Sequence, residues 1–165
     1  MIQFARPIAT GFGLGLLPKA PGTWASAATL PLVWALHWLG GFWLVLPATL
    51  LVLWAGFWAT AQVLENQDAD PPEVVIDEIA GQMIALWPLS LGLTLAGNAP
   101  HIFPWPGWVG AFVLFRLFDI FKPPPVDWAE RLGGPVGVML DDVVAGAIAA
   151  LLALLAAGVA HGWFV

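Results

Sequence analysis

Two pairs of adjacent acids, Asp77-Glu78 and Asp141-Asp142, stand at the edges of long uncharged stretches, and a glycine follows each closely (Gly81 and Gly146). Between them in the chain, Arg116, Asp119 and Lys122 recur at i, i+3 and i+6. That spacing keeps the three charges near one face of a helix. Carboxylate oxygens are the ligands that a hard divalent cation such as Mg²⁺ prefers. Left alone, five carboxylates at one depth repel each other, and a divalent cation relieves that repulsion. Arg116 and Lys122 are then available to a second anion such as a phosphate group. A plainer account exists for each piece. Acids in a first helical turn complement the helix dipole, and Arg116 can pair with Asp119 while Lys122 snorkels to the surface. The dipole does not explain why two helices each carry a doublet when the chain has only 11 acids.

The segment Gly11–Ser26 is a further candidate, with Gly11, Gly13, Gly15 and Gly22 for backbone freedom and Lys19 as a cation. It lacks the strand and glycine spacing of a dinucleotide fold and the Gly-Lys-Ser/Thr of a P-loop. Lys19, Thr23 and Ser26 suit a phosphate cradle at a helix start. The alternative is an entry loop with Thr23 as N-cap. Other phosphoryl-transfer routes lose ground. There is no Cys, and the Asp68-Ala69-Asp70 spacing lies in a polar linker without a preceding strand. Metal-activated water is the best-supported route. Asp77 or Asp141 is placed to orient the water or take its proton, and Arg116 and Lys122 to stabilise the transition-state charge.

The elements that must position these groups are membrane helices. Of 165 residues 60% are hydrophobic and 10% charged, with 11 Trp and no Tyr, too few charges to cover a soluble domain of this size. Residues 20–64, 79–115 and 143–165 contain no Asp, Glu, Lys or Arg. A spanning helix needs about 20 apolar residues. The windows predict an all-α, polytopic helical bundle in a single domain over 1–165, with about five spans: 24–39, 42–63, 79–97, 107–121 and 143–163. The first is short enough to be re-entrant. Alternation of spans puts every Lys, Arg, Asp and Glu on or near one side, which the positive-inside rule makes cytoplasmic. His37, His101 and His161 fall towards the other side, which argues against a phosphohistidine route. The net charge of −6 argues against a nucleic-acid partner. Arg6, the apolar run 8–17 and Ala25-Ser26-Ala27 imitate a signal peptide, but three glycines and Pro18-Lys19 interrupt the pattern. Gly81, Gly137 and Gly146 permit close helix contacts and leave a homodimer open.

Taken together, Gly13–Ser26 (with its Pro-Gly-Thr-x-x-Ser), Ile76–Gly81, Phe115–Pro125 and Gly134–Gly146 resemble the phosphatidylglycerophosphatase A family of bacterial lipid phosphatases. The resembling segments run in order over nearly the whole chain. The resemblance implies removal of the terminal phosphate of phosphatidylglycerophosphate, dependence on Mg²⁺, a phospholipid substrate, and an inner-membrane location with a cytoplasm-facing site. It matches the family's motif acids to Asp77, Glu78, Asp119, Asp141 and Asp142, which we take as metal ligands. It matches the basic positions to Arg116 and Lys122, and places Lys19 in the glycine-rich loop. Rival readings are an ion or solute transporter, a phospholipid headgroup transferase, and a non-catalytic scaffold. Against a transporter, the acids gather at one face and no internal repeat is visible. A headgroup transferase would need a nucleotide-linked donor site, which the sequence does not display. A scaffold would use the acids only as dipole partners.

Overall fold

The structure is a computed structural model that describes residues 2–64, 71–102 and 104–160. His161, the Asp68-Ala69-Asp70 linker and the end of the fifth expected span lie outside the described residues. Those described form helices and turns: α1 (Ile2–Ala9), a 3₁₀ segment (Gly11–Leu16), α2 (Pro21–Gly40), α3 (Phe42–Leu64), α4 (Ile76–Ala85), α5 (Trp87–Leu95), α6 (Trp105–Phe121), α7 (Val126–Glu130) and α8 (Gly134–Ala160). The all-α bundle agrees with the sequence expectation.

Three stretches combine the length and hydropathy needed to cross a bilayer: Phe42–Leu64, Ile76–Leu95 and Gly134–Ala160. The other two expected crossings do not reach that standard among the described residues. Helix α6 has 17 residues and α2 has 20, the latter diluted by proline and polar side chains. Pro88 explains the break between α4 and α5, since its ring removes an N–H and restarts the helix there.

Two helices begin earlier than the expected spans 24–39 and 143–163. Helix α2 starts at Pro21, after Ala20 in the left-handed region (φ 47°), so Thr23 is inside the first turn and is not the N-cap. Helix α8 starts at Gly134, two turns before Asp141. The Asp141-Asp142 pair is therefore within the helix body and the dipole account does not reach it. Asp77 and Glu78 do sit in the first turn of α4.

Helix α4 is the hub, packing most extensively on α8 and also on α2, α3 and α6. The α4–α8 crossing is backbone against backbone. A Cβ on Gly146 would overlap the Gly81 carbonyl, and one on Gly81 would lie 2.6 Å from the Asp142 carbonyl oxygen. Gly137 likewise abuts the Glu130 carbonyl, so the three small residues that left a dimer open are occupied inside the chain. Apolar clusters fill the remaining interior. Ala59, Val63, Ala80 and Met139 form one, Val33, Val45, Met83, Leu86 and Trp108 a second, and Ala85, Phe115, Ala145 and Ala149 a third. The outward surface is apolar too, with Trp43, Leu51, Trp54, Leu151 and Leu155 exposed, as lipid contact requires.

Helices α2, α4 and α8 begin, and α3 and α6 end, at one end of the bundle. At the opposite end His37 Nδ1 and Ser90 Oγ are 2.8 Å apart and the Phe42 N–H donates to Thr94 Oγ1 at 2.9 Å. This polar clasp ties the α2–α3 turn to α5. His101 is exposed in the turn before α6. Both described histidines are thus remote from the charged end, as the sequence predicts.

Candidate active site

A cleft of about 380 Å³ opens at the charged end. Ala20–Thr23, Pro71, Pro72 and Val74 line one side of it; Asp77, Glu78, Arg116, Asp119, Ile120, Lys122, Asp141 and Asp142 supply the rest. Segments scattered across the chain converge because α2 and α4 start here, α6 ends here, and α8 passes by two turns beyond its start. The prolyl turn at 71–74 is anchored by the Val75 N–H, which donates to the Ala9 carbonyl at 2.9 Å.

The floor is acidic. One carboxylate oxygen from each of Asp77, Glu78 and Asp142 lies within 4.8 Å of the other two. Asp77 and Asp142 are buried and Glu78 is half-buried. Asp77 Oδ1 accepts the Glu78 N–H at 3.0 Å, and Asp141 Oδ1 accepts the Asp142 N–H at 2.9 Å. In each doublet the first acid thus uses one oxygen locally. Glu78 Oε2 and Asp142 Oδ1 are buried with no partner among the described residues. Orphaned carboxylate oxygens at this depth are costly unless something positive meets them. Gly22 is what lets Glu78 enter, because a Cβ there would overlap the Glu78 carboxylate.

Two cations flank the acids. Arg116 pairs with Asp119 one helical turn on, and its Nη1 makes a long contact of 3.4 Å to Ser26 Oγ. Lys122 caps α6 in the left-handed region (φ 44°), which is unusual for a residue with a Cβ. Its Nζ donates to Asp141 Oδ2 at 2.7 Å and to Glu130 Oε1 at 2.6 Å. Burial alone would lower the Lys122 pKa, but the hydrogen bonds and charges of Asp141 and Glu130 outweigh it and hold it above the ordinary lysine range.

The predicted residues therefore divide. Asp77, Glu78 and Asp142 come together as a trio, while Asp119 and Asp141 line the same cleft held by Arg116 and Lys122. Thr23 lines the cleft. Ser26 is buried, donates to the Gly22 carbonyl at 2.8 Å and meets Arg116. Lys19 is exposed just before the cleft-lining segment and is not among its lining residues. The sequence reading missed Glu130, which reaches Lys122 across the prolyl turn after α6; no periodicity links the two. The prolyl turn at 71–74 also walls the cleft, which its composition alone does not signal.

Comparison with known proteins now bears on this geometry. The family model described as phosphatidylglycerophosphatase A matches residues 7–157. A Bacteroides thetaiotaomicron protein named "Putative phosphatidylinositol-3-phosphatase" is 39% identical over 155 residues, covering 90% of this chain and 91% of that one. The Escherichia coli protein named phosphatidylglycerophosphatase A is 36% identical over 146 residues, covering 87% and 77%. The Haemophilus influenzae protein of that name is 35% identical over 156 residues, covering 92% and 89%. No solved structure matches the chain.

Proposed function

The chain belongs to the phosphatidylglycerophosphatase A family, and on that premise we propose that it hydrolyses the terminal phosphate monoester of phosphatidylglycerophosphate at the cleft, giving phosphatidylglycerol and phosphate. The observation that carries this reading is one juxtaposition: the carboxylate trio Asp77, Glu78 and Asp142 lies in the same cleft as Arg116 and Lys122. A carboxylate trio by itself repels a phosphate. A trio neutralised by a divalent cation and flanked by two fixed cations attracts one.

The donor set fits Mg²⁺. It is all carboxylate oxygen, and two of those oxygens are buried without a partner among the described residues. Asp77, Glu78 and Asp142 would hold the ion, with Asp119 within the same cleft as a further oxygen donor. When bound, such an ion polarises phosphoryl oxygens and makes water more acidic. The chain's own residues do the rest. Arg116 and Lys122 bind the phosphoryl oxygens and offset the charge that grows on them. Asp141 has one oxygen on Lys122 and the other on the Asp142 N–H, so its first task is to aim the ammonium. Asp77, beside the ion it would help to hold, orients the attacking water and accepts its proton in this proposal. A P–O bond forms to that water as its proton passes to Asp77; the bond to the lipid glycerol oxygen breaks, and that oxygen takes a proton from solvent at the open cleft to leave as the alcohol.

The same chemistry suits any lipid-borne phosphate monoester, and the name of the Bacteroides relative points to a 3-phosphoinositide. Purified protein in mixed micelles, offered phosphatidylglycerophosphate and phosphatidylinositol 3-phosphate in competition, separates the two. Preferential phosphate release from the glycerophosphate lipid supports the proposal, and preference for the inositide moves the assignment to that substrate.

We further propose an inner-membrane location with the cleft at the cytoplasmic face, because Arg6, Lys19, Lys122 and Arg131 all fall at or near that end. The chain has no Cys, so single cysteines report topology without background. Leu132→Cys is expected to react only with cytoplasmic reagent and Asn98→Cys only from outside; the reverse pattern would overturn the orientation.

A further inference from the structure

Gln82 is completely buried, and neither its amide oxygen nor its amide nitrogen has a partner among the described residues. An amide with two orphaned ends is expensive inside a bundle, and the charged residues of the cleft leave it without a role. Its surroundings follow from helix geometry. Gln82 is four residues beyond Glu78 and four before Leu86, so it lies between them in depth and on the same side of α4. Glu78 sits against Gly22 of α2, and Leu86 packs with Val33 of α2 and Trp108 of α6. Gln82 therefore faces the seam between α2 and α6.

Helices α2 and α4 both run inward from the cleft. On α2, the residue four beyond Gly22 is Ser26, which Arg116 Nη1 contacts at 3.4 Å. The next buried hydroxyl is Thr29, which donates to the Ala25 carbonyl at 2.9 Å. The Arg116 guanidinium is thus at the level of Gln82. Arg116 Nε is itself buried without a partner among the described residues. The inventories match: Nε–H is a donor lacking an acceptor, and Gln82 Oε1 is an acceptor lacking a donor. The Gln82 amide N–H groups can use the hydroxyl oxygens of Ser26 and Thr29, whose protons are committed to their own helix.

We propose that Gln82 is a positioning residue for Arg116, accepting the Nε–H while a phosphate group occupies the Nη edge. This deepens the phosphatase reading and rests on it for the identity of the anion. Arg116 has competing partners in Asp119 and Ser26. A contact on the Nε edge fixes the guanidinium plane whichever of them lets go, and so favours bidentate contact with phosphate.

The test compares wild type, Gln82→Met and Gln82→Glu, each also in an Arg116→Lys background. The readouts are turnover and thermal protection by inorganic phosphate with Mg²⁺ present. Gln82→Met keeps the volume and loses the amide. It is expected to weaken phosphate protection and kcat/KM by about tenfold, the effect of one hydrogen bond to a charged group, with the unliganded melting temperature unchanged or raised. Gln82→Glu keeps the acceptor and is expected to retain most of the phosphate affinity. In the Arg116→Lys background, where no Nε–H exists, Gln82→Met should have no further effect. Wild-type phosphate affinity in Gln82→Met overturns the proposal, as does a Gln82→Met loss that persists undiminished beside Arg116→Lys. Lack of lipid turnover by the wild-type protein would instead count against the phosphatase reading, and the phosphate-protection comparison would still decide the role of Gln82.

Discussion

The Lys122 ammonium lies 2.7 Å from the Asp141 carboxylate and so joins the end of α6 to the body of α8 across the cleft. Glu130 holds the same ammonium from the outer side at 2.6 Å. Removing Lys122 has two consequences. The phosphate loses a fixed cation, and the mostly buried Asp141 side chain loses its partner. Lys122→Ala is expected to cut kcat/KM by about 10- to 100-fold, measured as phosphate release, and Glu130→Gln much less. Unchanged kinetics in Lys122→Ala would limit that side chain to tying α6 to α8, with no role on the phosphate. The raised Lys122 pKa carries a sign. Its contribution to stability is complete below the unfolded lysine value, about 10.4, and is lost only as pH climbs through the higher folded value. Lys122 should therefore produce no loss of stability between about pH 7 and about pH 9.

Gly22 separates local helix preference from site geometry. Gly22 is the second residue of α2, where local helix preference does not oppose alanine. The Cβ of Gly22→Ala would, however, overlap the Glu78 carboxylate. The expected result is a folded, helical protein with phosphate release reduced at least about tenfold, as loss of one metal ligand's placement implies. Gly92→Ala is the control, since a Cβ there meets nothing within 4 Å. It should leave turnover intact by the same assay.

His37 is buried and bonded to Ser90 at the far end of the bundle. His37→Ala is expected to lower stability by about 1–3 kcal/mol through the orphaned Ser90 contact and the lost packing, measured by thermal unfolding in detergent. Turnover per folded molecule should be unchanged. Loss of turnover with folding intact would reopen a phosphohistidine route.

The charges of the site were legible because an apolar chain has so few. The two doublets and the Arg116–Asp119–Lys122 stripe hold seven of the 16 Asp, Glu, Lys and Arg residues, and all seven line the cleft. Helix starts were less legible. Gly133-Gly134-Pro135 reads as a loop, yet proline is tolerated in a first helical turn, and α8 begins there. Pro21 conceals the start of α2 in the same way. Glu130 was hidden because a prolyl turn, not a helical period, carries it to Lys122. Gln82 was hidden because an uncharged residue in an apolar window draws no notice until its burial is known.

The central claim is that Asp77, Glu78 and Asp142 hold a divalent cation that works with Arg116 and Lys122 on a lipid phosphate. The most direct measurement is phosphate release from phosphatidylglycerophosphate by purified protein, stripped with chelator and then resupplied with Mg²⁺, for wild type and Asp142→Asn. The account predicts no release after stripping, recovery in the wild type on adding Mg²⁺, and none in Asp142→Asn. Full turnover in chelator, or a fully active Asp142→Asn protein, would contradict it.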